Sequence, residues 1–344
     1  MKPNDLHPIL RAHRKELFSY PNVRSVGVGR VITRGKKTKE IGIIVGVSKK
    51  KPLAMLTADM ILPTELKAEG VSIDVQEVGV PKPLSAPADY DCSYYDIMRS
   101  GVDLAHYLVT GGTLGWFMPE WNDLMVTNNH VGANSNNAQI GDPIMQPSPI
   151  CASTETRQVA TLDNFVPVVF VGGGSPCSVA RAVAAVLNGT AALFGRKTRM
   201  RALHNLDPFA QDTVNHCDLS FLKPVPGISG DEAMLNSKRV WQGDRDEADL
   251  DEPLFKSGAR SGYTEFLCTQ KYMTVSVQYE AGEIAMYEDQ DGFAQPSAQP
   301  GDSGSGVGDQ AENMRTDEIF AGSDTIGIGS PFKYVTAAYH QFYG

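Results

Sequence analysis

Residues Gln299–Val307 read QPGDSGSGV, a glycine-punctuated stretch that sets Ser303 between Asp302 and Gly304. Glycines at 301, 304 and 306 permit a sharp backbone that turns successive N–H groups inward. Inward amides are what a developing oxyanion requires. A serine hydroxyl beside them stays a poor nucleophile until a base takes its proton. That base in turn needs a buried carboxylate to fix its tautomer. Two upstream stretches offer such partners: TNNHV at Thr127–Val131, with His130, and CDLSFL at Cys217–Leu222, with Asp218. His130 ends an apolar strand and precedes a Gly-Ala-Asn loop, while Asp218 opens an alternating, strand-like run. Asp163 is a rival in a similar apolar context, because Asp218 follows His130 only after a long gap. Alone, a Gly-rich Asp-Ser loop reads equally as a turn, and a lone histidine as a satisfied core residue. The combination points to chemistry.

Outward from these motifs the chain alternates short strands with Gly and Pro punctuation. Strands dominate from Gly101 onward and recur through CDLSFLKP, EPLFKSG, EFLCTQKYMTVSVQYE and GEIAMYED. Ser178–Phe194 is alanine-rich and spaced as a helix, and PFKYVTAAYHQFYG opens a C-terminal helix with proline at its start. Upstream, an amphipathic helix ends near Tyr20-Pro21. VRSVGVGRVI and EIGIIVGVSKK form a hairpin, and a strand spans Val71–Val78. These make a small α/β module over residues 1–85. PKPLSAPADYD then breaks both periodicities, so 86–100 reads as a linker before a unit spanning 101–344. Many short strands and few helices predict a mainly β fold of paired barrels or a sandwich. No repeat of 20–50 residues appears.

Composition narrows the class. With 344 residues, 42% of them hydrophobic, the chain is neither disordered nor collagenous. It holds no apolar run long enough for a membrane span, and its start lacks a signal-peptide core. Five scattered cysteines (92, 151, 177, 217 and 268) suit reduced thiols in a cytoplasmic protein. Neither zinc spacing nor a cofactor motif occurs, and the sequon at Asn188 carries weight only with secretion. Residues 1–51 hold thirteen Lys/Arg against three Asp/Glu, so this +10 segment faces −19 on the remainder. The excess reads first as a solvated helix face and a charged turn, second as a surface for a regulatory protein. No RNA-binding motif, paired aromatics or zinc finger supports nucleic acid.

The order His130, Asp218, Ser303, with TNNHV and QPGDSGSGV, resembles the trypsin/chymotrypsin-fold serine proteases. More narrowly it resembles intracellular bacterial trypsin-like peptidases related to the plant Narrow-leaf type. KSGARSGYTEF (Lys256–Phe266) is similar to the run that opens the second barrel of that group. The resemblance implies a double β-barrel with a helical insertion over about 151–215 and a second barrel from about 252. It implies His130 as general base, Asp218 as its orienter and Ser303 as nucleophile, with the Gly301 and Ser303 amides as oxyanion hole. Asp302 would be structural. In activated trypsins its counterpart pairs with a freed amino terminus; no such cleavage site precedes the first barrel here, so the loop must be held another way or start disordered. The specificity pocket would have Ser297 as its floor, Ala321–Ser323 as a wall, Gly327 or Gly329 beside it, and Asp324 at the rim. A neutral floor favours an apolar or small residue before the cut bond. The insertion would be a lid or a packing element, and its tail Gly195–Arg201 a solvated helix cap. The expected function is cytoplasmic serine endopeptidase through an acyl-enzyme, in regulated limited proteolysis of protein or peptide substrates. A silent scaffold and a serine esterase are the alternatives.

Overall fold

A computed structural model describes residues 2–66, 69–84, 92–151, 154–171, 214–279 and 282–344. The helix expected at Ser178–Phe194, the tail Gly195–Arg201, Cys177 and the Asn188 sequon lie outside the described residues.

Alternating apolar residues build an antiparallel six-stranded sheet in the first half. Its order is Ala105–His106, Pro143–Gln146, Arg157–Phe165, Ser220–Pro224, Leu124–Thr127, Trp116–Met118. Leu104, Leu114, Met125, Ile144, Val159 and Leu222 fill its interior. Arg157–Phe165 lies in the stretch expected to be an insertion. It pairs instead with Pro143–Gln146 and Ser220–Pro224, because its alternation supplies Val159 and Leu162 to that core. Ile97–Ser100, within the expected linker, is likewise a strand, parallel to Ser229–Met234.

The second half is built on Pro253–Gly258, Gly262–Gln278, Ile284–Ala294, Gly306–Asp309, Met314–Gly322 and Ile326–Pro331, around Leu254, Phe266, Phe293, Val307 and Ile319. Trp116, Trp121, Phe221, Trp241 and Phe255 form an aromatic seam that also receives the C-terminal helix Phe332–Tyr343, where Trp121 stacks on Tyr339 at 4.2 Å. The fold is therefore mainly β, two strand-built halves with helices at both ends of the described chain.

The N-terminal helix, Pro3–Ser19, buries Leu6, Leu10 and Leu17 against Val26, Val28, Ile43 and Val45. Each such leucine contributes roughly 1.5–3 kcal/mol. This module shares a sheet with the second half. Val23–Thr33 runs antiparallel to Gly262–Gln278, with Ser25 opposite Val275 and Gly29 opposite Gln270. VGVGR needs its glycines there: a Cβ on Gly29 would fall 2.7 Å from the Thr269 carbonyl oxygen. Part of the charge asymmetry is consumed at this junction. Arg14 pairs with Glu288, while Arg30 Nε and Lys37 Nζ reach Asp251 at 2.7 and 3.2 Å.

One cysteine expectation is corrected. Cys92 and Cys151 form a disulfide, because the chain brings their Cα atoms within 5.7 Å. The cysteines therefore give no ground for a cytoplasmic location, since disulfides persist in oxidising compartments. Cys217 and Cys268 are free and buried, their thiols pushed up chiefly by burial. Replacing Cys92 and Cys151 by Ser should lower unfolding stability by about 2–4 kcal/mol, read from denaturant melts with and without reductant. Reductant should then move the wild-type midpoint and leave the variant's unchanged.

Candidate active site

The strand Leu124–Thr127 delivers the TNNHV segment to the gap between the halves, and asparagines fix the turn beyond it. Asn128 Nδ2 donates to the Asp218 carbonyl at 2.9 Å. Asn129 Nδ2 donates to Val166 O at 2.7 Å and to Asn136 Oδ1 at 2.8 Å. Ser220 Oγ donates to the carbonyls of Thr127 and Asn128. The short helix Asn129–Gly132 is thus pinned from both sides, with His130 projecting from it.

His130 and Asp218 are brought together. Nδ1 of His130 lies 3.0 Å from Asp218 Oδ2, and the His130 backbone N–H donates to Oδ1 at 3.0 Å. Asp218 is wholly buried. Burial works to raise its pKa, but the His130 charge and the hydrogen bonds from His130 and Tyr279 outweigh it, leaving the carboxyl below its ordinary value. With Asp218 ionised, Nδ1 carries the proton. Nε2 is buried and without a hydrogen-bond partner among the described residues.

Sequence reasoning missed two groups on this carboxylate. Tyr279 donates its hydroxyl to Asp218 Oδ2 and sets its ring edge-on to His130, at 6.2 Å between centroids. Tyr287 reaches the same oxygen at 3.4 Å. Both phenols are pushed well up, by burial first and by the Asp218 charge next, so they remain donors. Glu318, buried nearby, is raised well above the carboxylate range by burial and then by Asp218. The rival Asp163 bonds to the Tyr343 hydroxyl and to Asn164, and makes no bond to His130.

The Ser303 loop is held by a buried ion pair. Gly301 and Gly304 have φ of +104° and +91°, values glycine adopts without strain. Asp302 accepts N–H bonds from Arg260, Ser261 and Gln299 at 3.2, 3.0 and 2.9 Å. Lys256 Nζ lies 3.1 Å from its Oδ2, both side chains being fully buried. Burial pulls the Lys256 pKa down against the opposing pull of Asp302. KSGARSG thus supplies the cation and two of the three amides that hold Asp302, those of Arg260 and Ser261.

Ser303 is placed differently from the simplest expectation. Its Oγ accepts from the Leu84 N–H at 3.1 Å and donates to Phe320 O at 3.3 Å, with no hydrogen bond to His130 among the described residues. Leu84 belongs to an extended segment laid across the loop. Gly301 N–H donates to its carbonyl at 2.7 Å. Lys82 and Pro83 pair antiparallel with Gly322 and Ala321. Gln278 N–H holds the Pro81 carbonyl at 2.9 Å, and the Ser323 hydroxyl holds that of Val78.

Two cavities flank this segment. One, of about 700 Å³, is bounded by Pro83, His130, Asn134 and Tyr279. The other, of about 830 Å³, is bounded by Leu84, Ala298, Gly322, Ser323 and Asp324. Asp324 is exposed at the rim, and Ser297 lies fully buried, packed on Gly327. Among the described residues no group of three or more His, Cys, Asp or Glu is arranged to hold a metal ion.

No protein-family model and no curated protein matches the chain. Solved structures similar to it include Cellulomonas bogoriensis chymotrypsin, 14% identical with a TM-score of 0.41 over 71% of this chain and 97% of that one. Thermobifida fusca Protease A is 11% identical with a TM-score of 0.42, covering 71% of this chain and 96% of that one. Nocardiopsis protease is 10% identical with a TM-score of 0.43, covering 71% and 97%. At these values the functional reading rests on the geometry of the site itself.

Proposed function

We propose that this chain is a serine endopeptidase that cleaves peptide bonds through an acyl-enzyme. Nε2 of His130 takes the Ser303 proton as Oγ attacks the scissile carbonyl. Asp218 holds Nδ1–H and stabilises the imidazolium that forms. The tetrahedral oxyanion is met by the amides of Gly301 and Ser303, poised by the Lys256–Asp302 pair. His130 then returns the proton to the leaving amine, and water releases the acyl group by the same steps in reverse roles. The resemblance to the plant-related bacterial peptidases rests on the motifs alone.

The observation that carries this reading is the state of His130: one nitrogen is anchored on a buried carboxylate, and the other is buried with no hydrogen-bond partner among the described residues. A core histidine would have both satisfied. The cavity beside Leu84, bounded by Pro296, Ala298, Pro300 and Gly322, favours an apolar residue before the cut bond, while Ser297, the expected floor, is buried and does not line it.

One observation favours a second reading, a catalytically silent binding module: Ser303 Oγ is engaged by Leu84 and Phe320 instead of by His130. A fluorophosphonate probe separates the two. Labelling of the wild type that disappears in Ser303→Ala is expected for the peptidase. Persistent labelling of that variant sinks the Ser303 assignment, and an unlabelled wild type favours the silent module. A peptide library profiled with Ser303→Ala as control should return apolar residues before the cut; a profile dominated by Arg or Lys would move the specificity to Asp324.

A further inference from the structure

We propose that the amino-terminal module carries a binding site for a free anionic amphiphile, a single alkyl chain ending in a carboxylate. The site is a cavity of about 360 Å³ beside the stretch KKKPLAMLTADMIL (Lys49–Leu62), walled by Val47, Leu56, Met60 and Val75 and rimmed by Lys49–Lys51. It shares no lining residue with the two cavities that flank the segment at 82–84, and it stands apart from the peptidase reading.

The apolar half of the ligand is set by what this stretch leaves open. The chain here forms only two single turns, Leu53–Met55 and Ala58–Met60, and neither buries a residue. Met55 and Leu53, 72% and 70% exposed, are the most exposed large apolar side chains among the described residues. Apolar surface clustered in this way marks a site that something covers. The surface is concave, since Val47 and Val75 enter it from the paired strands Lys36–Val47 and Val71–Glu77. Its volume falls at the small end of ligand sites, which run from roughly 300 to 1,000 Å³, and suits one chain.

The polar half is set by the rim. Asn22 is committed, its Nδ2 donating to the Lys49 carbonyl at 2.8 Å and its Oδ1 accepting from Ser48. Lys50 Nζ donates to the Val75 carbonyl at 2.8 Å. The ammonium groups of Lys49 and Lys51 make no hydrogen bond or ion pair among the described residues, unlike the side chains of Arg14, Arg30 and Lys37. No acid lines the cavity: Glu77 accepts from the Lys50 N–H at 2.9 Å, and Asp59 is exposed on the second turn. Two free cations beside an apolar hollow complement one anionic group on an apolar chain. An extended peptide is served less well. Lys36–Val47 is paired along both edges, by Val23–Thr33 and by Val71–Glu77, so at the cavity wall it offers no ladder to a second backbone.

Calorimetric titration of the full chain with decanoate, below its micelle concentration, tests this. One saturable site per chain is expected, and the methyl resonance of Met60, assigned through Met60→Leu, should shift in step with the heat. Octanoate, two methylenes shorter, should bind about 10-fold more weakly. Decanol, which lacks the charge, should also bind about 10-fold more weakly or worse. Lys49→Glu combined with Lys51→Glu should weaken decanoate by about 10-fold or more and change decanol little. Both lysines are exposed, so this exchange leaves the fold intact. Leu53→Asp, at the exposed rim, should weaken both ligands. Absence of a saturable site overturns the proposal, as does decanoate binding that survives the lysine exchange or only equals that of decanol. A Met60 methyl that stays still while the heat saturates puts the ligand elsewhere and overturns it too. Binding to phosphatidylglycerol vesicles without binding of monomeric decanoate would make the patch a membrane contact, and the amphiphile site would fall.

Discussion

Lys256→Met is expected to leave Asp302 charged, buried and without its cation, and to cost about 3–5 kcal/mol of stability. The loss should reach chemistry as well as folding. Asp302 gathers the amides of Arg260, Ser261 and Gln299, so a shift of its carboxylate displaces Gly301, the proposed oxyanion donor, whose N–H bonds the Leu84 carbonyl. Loss of one oxyanion donor lowers turnover by about 10²–10³-fold. A double variant, Lys256→Met with Asp302→Asn, removes the unpaired charge and should recover much of the stability while turnover stays low. Denaturant melts and peptide turnover check both arms. Unchanged turnover in Lys256→Met would show that the amides alone hold the loop.

Asp218→Asn is expected to reduce turnover by about 10⁴-fold with little change of shape. An amide at that position can donate to Nδ1, which moves the imidazole proton to Nε2 and blanks the base. Its effect on stability should depend on pH. Because the native carboxyl sits below its ordinary 3.8, the ionised form is favoured by folding. That stabilisation is full above the unfolded value and is lost as pH falls through the lower native one. The wild-type unfolding temperature should therefore drop more steeply below about pH 4 than that of Asp218→Asn, measured between pH 2 and 5. Parallel acid limbs in the two proteins would rule out an ionised, His-paired Asp218.

The site is legible where local sequence carries its own constraint. QPGDSGSGV announces a positive-φ loop because few residues but glycine accept φ near +100°, and TNNHV announces a turn because asparagine amides can close it. Asp218 prevails over Asp163 through its strand, since Ser220 lies opposite Thr127 and so places Asp218 against His130. The hidden parts arise from distant pairings. Tyr279 and Tyr287 read as ordinary strand aromatics, and only the hairpin that brings both hydroxyls to one carboxylate oxygen reveals a role. Lys256 lies in a telling run, yet its partner cannot be read there, because Asp302 lies beyond two further strands of the chain. The disulfide is invisible for the same reason: spacing alone does not tell which thiols meet. KPL at 82–84 reads as a spacer, since proline breaks a helix or sheet and equally suits an extended peptide in a groove.

The shared sheet has one further consequence. Gln270–Val275 is covered on one side by Ile284–Ala294 and on the other by Val23–Thr33. Detachment of the amino-terminal piece would bare a row of unsatisfied amides and carbonyls on that strand, a template for any extended polypeptide. A chain shortened by residues 1–33 should accordingly self-associate along this rim or capture a foreign strand there.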